Sequence, residues 1–325
     1  MHPAFSVIFL TTLIGAGQGL FLAMVTGQLY AIAHLVPLQD EGFYGVGSLV
    51  ALGFLVAGLV ASFFHLGHPE RAWRAAAMWR TSWLSREVIV LPALMALVFA
   101  YGVAHLMGWT QPLFQLGTAL EVDLTLLLGV LGTPVALALF LCTAMVYASV
   151  RFLQEWHTAR TVVNFTLLGT ASGFMLAAAY SAYLGNPLVT FFGTWAVILT
   201  LAALVSRLAH LARNARLRHK SSVQTAIGVR HQVLVQRTQG ATGGSFNTRE
   251  FFHGRSPRTL MVLRYIYLVA AFPLPVVLIA IAYFSASSTL PIAAFVLQLL
   301  GLCVERWSFL AESRHPQNLY YQSVA

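Results

Sequence analysis

The chain has 325 residues, of which 58% are hydrophobic and only 9% charged, with a mean hydropathy of +0.75. Soluble domains carry about 25% charged residues, so this composition excludes a soluble globular protein and implies an integral membrane protein. The net charge of +9 fits loops that face anionic lipid; in so apolar a chain it does not point to nucleic acid.

A helix crosses the hydrocarbon in about 20 apolar residues, and eight such runs follow one another. They span Phe5–Leu35, Tyr44–Phe64, Val88–Met107, Thr133–Phe152, Thr161–Tyr183, Val189–Leu208, Tyr265–Phe284 and Leu290–Glu305. The expected fold class is an all-α integral membrane protein, a bundle of eight transmembrane helices forming a single membrane-anchor domain over residues 1–325.

The first run starts without a basic leader or a clear cleavage site and reads as a retained helix rather than a signal peptide. It contains "GAGQG", Gly15 to Gly19. No strand precedes these glycines, so they read as a close helix contact of the small-xxx-small type, not a phosphate loop.

The second and third runs are joined by "HLGHPERAWRAAAMWRTSWLSRE", His65 to Glu87. Pro69 can open a short helix with Glu70 in its first turn. On an α-helical wheel Glu70, Arg71 and Arg74 share one arc. A short interfacial helix explains Trp73, Trp79, Trp83, Arg74 and Arg80 by anchoring alone. It explains His65 and Glu87 less well, since each stands at the inner edge of a span. Both side chains can exchange protons near neutral pH. With Arg71 and Arg86 as donors to carbonyl oxygens, they make a candidate site for a quinone arriving from the lipid.

Gly132-Thr133-Pro134 precedes the fourth run, which can also begin earlier because Leu124–Leu131 is apolar. The two cysteines, Cys142 and Cys303, lie in apolar runs and argue against a disulfide framework, a cluster or a zinc site. Gly185-Asn186-Pro187 closes the fifth run. Residues 213–259 read as a polar, basic loop, with Arg249, Phe251 and Phe252 as a candidate docking patch and Val223–Val235 as room for one extra short element. Pro273 and Pro275 should kink the seventh run, and Pro291 fits the first turn of the eighth.

Eight crossings put both termini on one side, and the charges then sort. All nineteen Lys and Arg residues fall on the terminal side, with Arg207 and Arg306 counted at helix ends. Asp40, Glu41, Glu121 and Asp123 fall on the other side. The positive-inside rule makes the terminal side cytoplasmic and the chain a multi-pass membrane protein with both termini cytoplasmic. No Asp, Glu, Lys or Arg falls near the centre of a span, which weighs against an ion pump or an ion-coupled carrier. Gln18, Gln28, Asn164, Thr170 and Gln298 read as partners in hydrogen bonds between helices.

Three regions then carry a resemblance. The link "HLGHPERAWRA" with "WRTSWLSREV", the opening "MHPAFSVIFLTTLIGAGQG" and the late "VERWSFLAESRHPQNLYY" resemble the membrane anchor of dimethyl sulfoxide reductase, the DmsC-type family. The resemblance covers nearly the whole chain. It implies an eight-helix anchor without a catalytic metal of its own. It also implies an iron–sulfur subunit and a molybdopterin catalytic subunit as partners, with electrons exchanged between them and a quinone. His65 and Glu87 match the family's quinol-handling residues, and Arg71, Arg74 and Arg86 match its arginines. Arg74 and Arg80 join the candidate docking surface. The sorting of charge fits the anchor of a cytoplasm-facing sulfite dehydrogenase (SoeC-like) better than an outward-facing reductase. The alternatives are the anchor of a reductase that oxidises menaquinol and a pure scaffold with no quinone site. No haem is expected: the histidines are not placed so as to force a pair at one depth, and the resembling family lacks one.

Overall fold

The computed structural model describes residues 1–116, 120–231, 233–235 and 253–319. Arg249, Phe251 and Phe252 lie outside the described residues. The long helices are α1 (Phe5–Ile32), α2 (Glu41–Phe63), α3 (Trp83–Leu106), α4 (Leu124–Ala148), α5 (Ala159–Tyr183) and α6 (Val189–Ala215). A short α7 (Val223–Ile227) precedes α8 (Pro257–Ala270), α9 (Pro273–Ser285) and α10 (Thr289–Ala311). Among the described residues, eight spans are long and apolar enough to cross a membrane, with α8 and α9 forming one of them.

The bundle is built around α1 and α5, whose apolar windows are 67% and 72% buried, against 28% for α2 and α6. Small residues allow that central contact. A Cβ on Gly173 would overlap the backbone of Gly19, and a Cβ on Gly15 would stand 3.4 Å from the Cα of Gly169. The small-xxx-small reading of "GAGQG" is therefore borne out, with α5 as the partner. Gly173→Ala is expected to force α1 and α5 apart and cost roughly 1–3 kcal/mol. Gly53→Ala, whose new methyl would meet nothing within 4 Å, is the control. Equal unfolding temperatures for the two purified variants would contradict this packing.

Buried polar side chains join the spans. Tyr101 donates to Gln28 Oε1 at 2.9 Å, and Gln28 Nε2 donates to Thr125 Oγ1 at 2.7 Å. Ser206 donates to Asn164 Oδ1 at 2.7 Å. Gln298 Nε2 donates to Thr200 Oγ1 at 3.0 Å and to the Ala271 carbonyl at 3.2 Å. Thr170 departs from the expectation and bonds its own helix, at the Thr166 carbonyl.

The seventh span breaks at Ala271–Phe272, where Pro273 opens α9. The expected kink is there, and Gln298 satisfies a carbonyl at the break. The fourth span begins at Leu124, so Pro134 lies inside α4 rather than at its edge. Asp123 supplies the N-cap, accepting from Leu126 N at 2.7 Å, and a cap outranks the proline as a start signal. Beside the proline, the Thr133 hydroxyl bonds the Gly129 carbonyl at 2.9 Å.

An antiparallel hairpin, β1 (Pro112–Leu116) and β2 (Leu120–Asp123), stands between α3 and α4. The α-helical pattern gave no sign of it. Within the expected loop of residues 213–259, α6 takes the first residues and α8 the last, and α7 occupies part of Val223–Val235.

The two ends of the bundle differ in charge. At one end Thr110 donates to Glu41 at 2.9 Å and Asn186 donates to Gln39. At the other the Met1 ammonium meets the carbonyls of Ala311 and Ser313, Arg213 reaches the Gln154 carbonyl and Arg264 pairs with Glu312.

Candidate functional site

Helix α2 stops at Phe63, and His65 follows in a turn whose backbone N–H reaches the Ser62 carbonyl at 3.4 Å. Its imidazole is exposed just past the span. Partial burial holds it below its ordinary value of 6.5, because burial disfavours the charged form.

The segment Pro69–Met78 is a 3-10 helix with no buried residue. With three residues per turn, positions i and i+3 eclipse. Arg71 and Arg74 therefore share one row, while Glu70 shifts to the row of Trp73 and Ala76. This corrects the α-helical arc that joined Glu70 to the two arginines. Glu70 lies 3.6 Å from Arg71 Nε and 3.1 Å from His68 Nδ1. The exposed Arg74 and Arg80 guanidiniums lie 5.6 and 5.4 Å from the rings of Trp73 and Trp79. Each arginine is thus shielded on one face and open on the other.

Ser82 caps α3 by accepting from Ser85 N at 3.3 Å, so the helix begins at Trp83. Arg86 and Glu87 therefore lie at its start rather than in the link. Arg86 donates to the carbonyls of Trp79 and Arg80 at 2.9 and 2.8 Å and lies 4.2 Å over the Trp83 ring. It fastens the end of the link to α3, and those bonds occupy two of its three nitrogens.

Glu87 turns inward and is only 8% exposed. The Thr143 hydroxyl on α4 donates to its Oε1 at 2.6 Å. Beside Thr143 lies a small cavity of about 20 Å³, lined among others by Thr12, Gln18, Ser172 and Arg306, with room for about one water. The four sequence-predicted residues thus do not close into one hydrogen-bonded set. Among the described residues no hydrogen bond or ion pair joins His65 to Glu87, Arg71 or Arg86. His65 stands outside, Glu87 inside, and Arg86 fixes the chain between them.

Sequence reasoning missed two features. One is Thr143, which carries no signal beyond being a hydroxyl in an apolar span. The other is a buried ion cluster. Arg207 Nε lies 3.0 Å from Glu305 Oε1, with exposures of 1% and 0%. Arg306 NH1 lies 3.5 Å from Glu305 Oε2, and its guanidinium stands 3.6 Å from the Phe165 ring centroid. Arg207 and Arg306 were expected at helix ends. Instead α6 runs on to Ala215 and α10 to Ala311, so both are internal. The available signal was one opposite charge in each of two spans at the same end.

The DMSO reductase anchor subunit (DmsC) family model matches residues 1–322. A relative from Allochromatium vinosum, named as a subunit of sulfite dehydrogenase, is 77% identical over 325 residues and covers 100% of both chains. With eight apolar spans and a match over nearly its full length, the chain belongs to the DMSO reductase anchor subunit (DmsC) family.

Proposed function

We propose that this chain is the quinone-reactive anchor of a three-subunit sulfite dehydrogenase, set in a bacterial inner membrane with both termini cytoplasmic. The similarity to the Allochromatium vinosum protein, 77% over both full lengths, supports sulfite as the electron source of the complex. In this reading a molybdopterin subunit oxidises sulfite and an iron–sulfur subunit passes the electrons to the anchor. The base-rich end faces the cytoplasm, as the positive-inside rule requires. Arg74 and Arg80, both exposed, are the described residues of the docking surface for the partner.

The quinone site rests on one observation, the sheltered carboxyl of Glu87 held by Thr143 at 2.6 Å where α3 begins. Reducing a quinone takes two electrons and two protons. The electrons come from the partner. Glu87 holds one proton position on the inner side, and His65, in contact with water, supplies the other. No haem takes part in this reading. This reading is supported by the placement of the buried histidines among the described residues, His105 in α3 and His210 in α6, at opposite ends of the bundle.

His65 supplies the test. Its imidazole is held below 6.5, so at pH 7 most molecules carry it neutral. The protonated donor form grows as pH falls. Quinone-linked turnover should therefore keep rising as pH falls through 6.5 and flatten only below it. In His65→Ala the rise should be absent, with activity toward a soluble artificial acceptor unchanged. Wild-type quinone kinetics across this range would remove His65 from the site. If Glu87→Gln also left them intact, the scaffold reading would replace this one.

A further inference from the structure

A second cavity lies at the base-rich end, away from His65 and Glu87. It measures about 390 Å³ and is lined among others by Arg151, Phe152, Gln154, Lys220, Arg314 and Asn318. Three separate stretches of chain converge there: the link after α4, the segment after α6 and the tail after α10. Arg151, Lys220 and Arg314 form no ion pair among the described residues. Among the described residues no carboxylate lines the cavity; the nearby Glu155 is buried and faces His219 at 3.8 Å. Gln154 and Asn318 each have a buried amide oxygen without a hydrogen-bond partner. Turning either amide over presents N–H donors in its place. The cavity is thus a set of donors and positive charges waiting for an acceptor.

We propose that this cavity binds the phosphate group of an anionic membrane phospholipid. Three unpaired bases and amide donors suit a tetrahedral oxyanion. The depth selects a lipid as its source. Arg151 stands three residues past the end of α4 at Ala148, and Arg314 three past the end of α10 at Ala311, which is headgroup depth. Phe152 beside them is 57% exposed and packs edge-on against His315 at 5.3 Å, giving an acyl chain an apolar wall. Basic pockets between spans on the cytoplasmic side bind such headgroups by this physics.

The test compares lipids retained by the full-length chain extracted directly into polymer-bounded nanodiscs. Phosphatidylglycerol and cardiolipin should be enriched over the bulk membrane. In Arg151→Gln/Lys220→Gln/Arg314→Gln the enrichment should vanish, with affinity falling about fivefold for each base removed. Arg255→Gln/Arg258→Gln, which removes two bases outside the cavity, should keep it. Persistence in the triple variant, or equal loss in the control, would overturn the proposal. If the triple variant does not fold, Lys220→Gln, on an exposed segment, is read in the same assay. A second arm separates the sources of phosphate. In detergent, short-chain phosphatidylglycerol should raise the unfolding temperature of wild type. Equal protection by inorganic phosphate or sulfate would make this a soluble-anion site and overturn the lipid. Unchanged lipid with lost partner subunits would assign the cavity to a partner and also overturn it.

Discussion

Glu87→Gln is expected to lower quinone-linked turnover by about 10²-fold or more while activity toward a soluble artificial acceptor stays at the wild-type level. A positioned proton-transfer group contributes about 10² to 10⁴ in rate. Glutamine keeps the size and can still accept the Thr143 hydrogen bond, but it cannot take or release a proton. The fold should survive, so the loss would belong to the chemistry. Thr143→Val separates position from proton transfer: it removes the bond of 2.6 Å and keeps the carboxyl. A loss of about tenfold is expected there, corresponding to a bond to a charged or polar partner worth roughly 1.5 kcal/mol. Equal quinone kinetics in wild type and Glu87→Gln would sink the assignment of this carboxyl.

Glu305→Leu is expected to be the most destabilising substitution in the bundle, at about 3–5 kcal/mol. It strips the acid from two buried guanidiniums at once, those of Arg207 and Arg306. Arg207→Met should cost clearly less, because Glu305 keeps Arg306 at 3.5 Å. The measure is the fraction of each variant recovered as a monodisperse species after extraction, with its unfolding temperature. If Arg207→Met proves as damaging as Glu305→Leu, the acid is not the hub of the cluster.

Parts of this architecture are legible in the residues alone. Hydrophobic runs mark spans because each must cover about 30 Å of hydrocarbon, a property of length and composition. The "GAGQG" glycines announce a close contact, and Pro273 announces a break. Neither carries the name of its partner: that Gly19 meets Gly173, and that Gln298 reaches the Ala271 carbonyl, depends on how the spans are ordered around α1 and α5. The hairpin between α3 and α4 was invisible because it is short and its pattern weak.

The same division runs through the site. His65 and Glu87 stood out as titratable groups at the margins of apolar runs, and the family resemblance sharpened both. The 3-10 geometry of Pro69–Met78 did not show in the residues, since the α and 3-10 patterns differ by little over ten residues. Helix ends were placed where hydropathy fell. That rule put Arg207 and Arg306 at helix ends, although a paired charge can continue inside a helix when its partner arrives from another span.

The sequence by itself determined the membrane class, the eight spans and the end of the bundle that carries the bases. Each follows from hydropathy and charge summed along a line. Only the tertiary structure decided that Glu87 turns inward to Thr143 while His65 stays at the surface. It also decided that Glu305 gathers two arginines, and that Arg151, Lys220 and Arg314 share one cavity. These are meetings between distant segments, and they exist only once packing has brought the helices side by side.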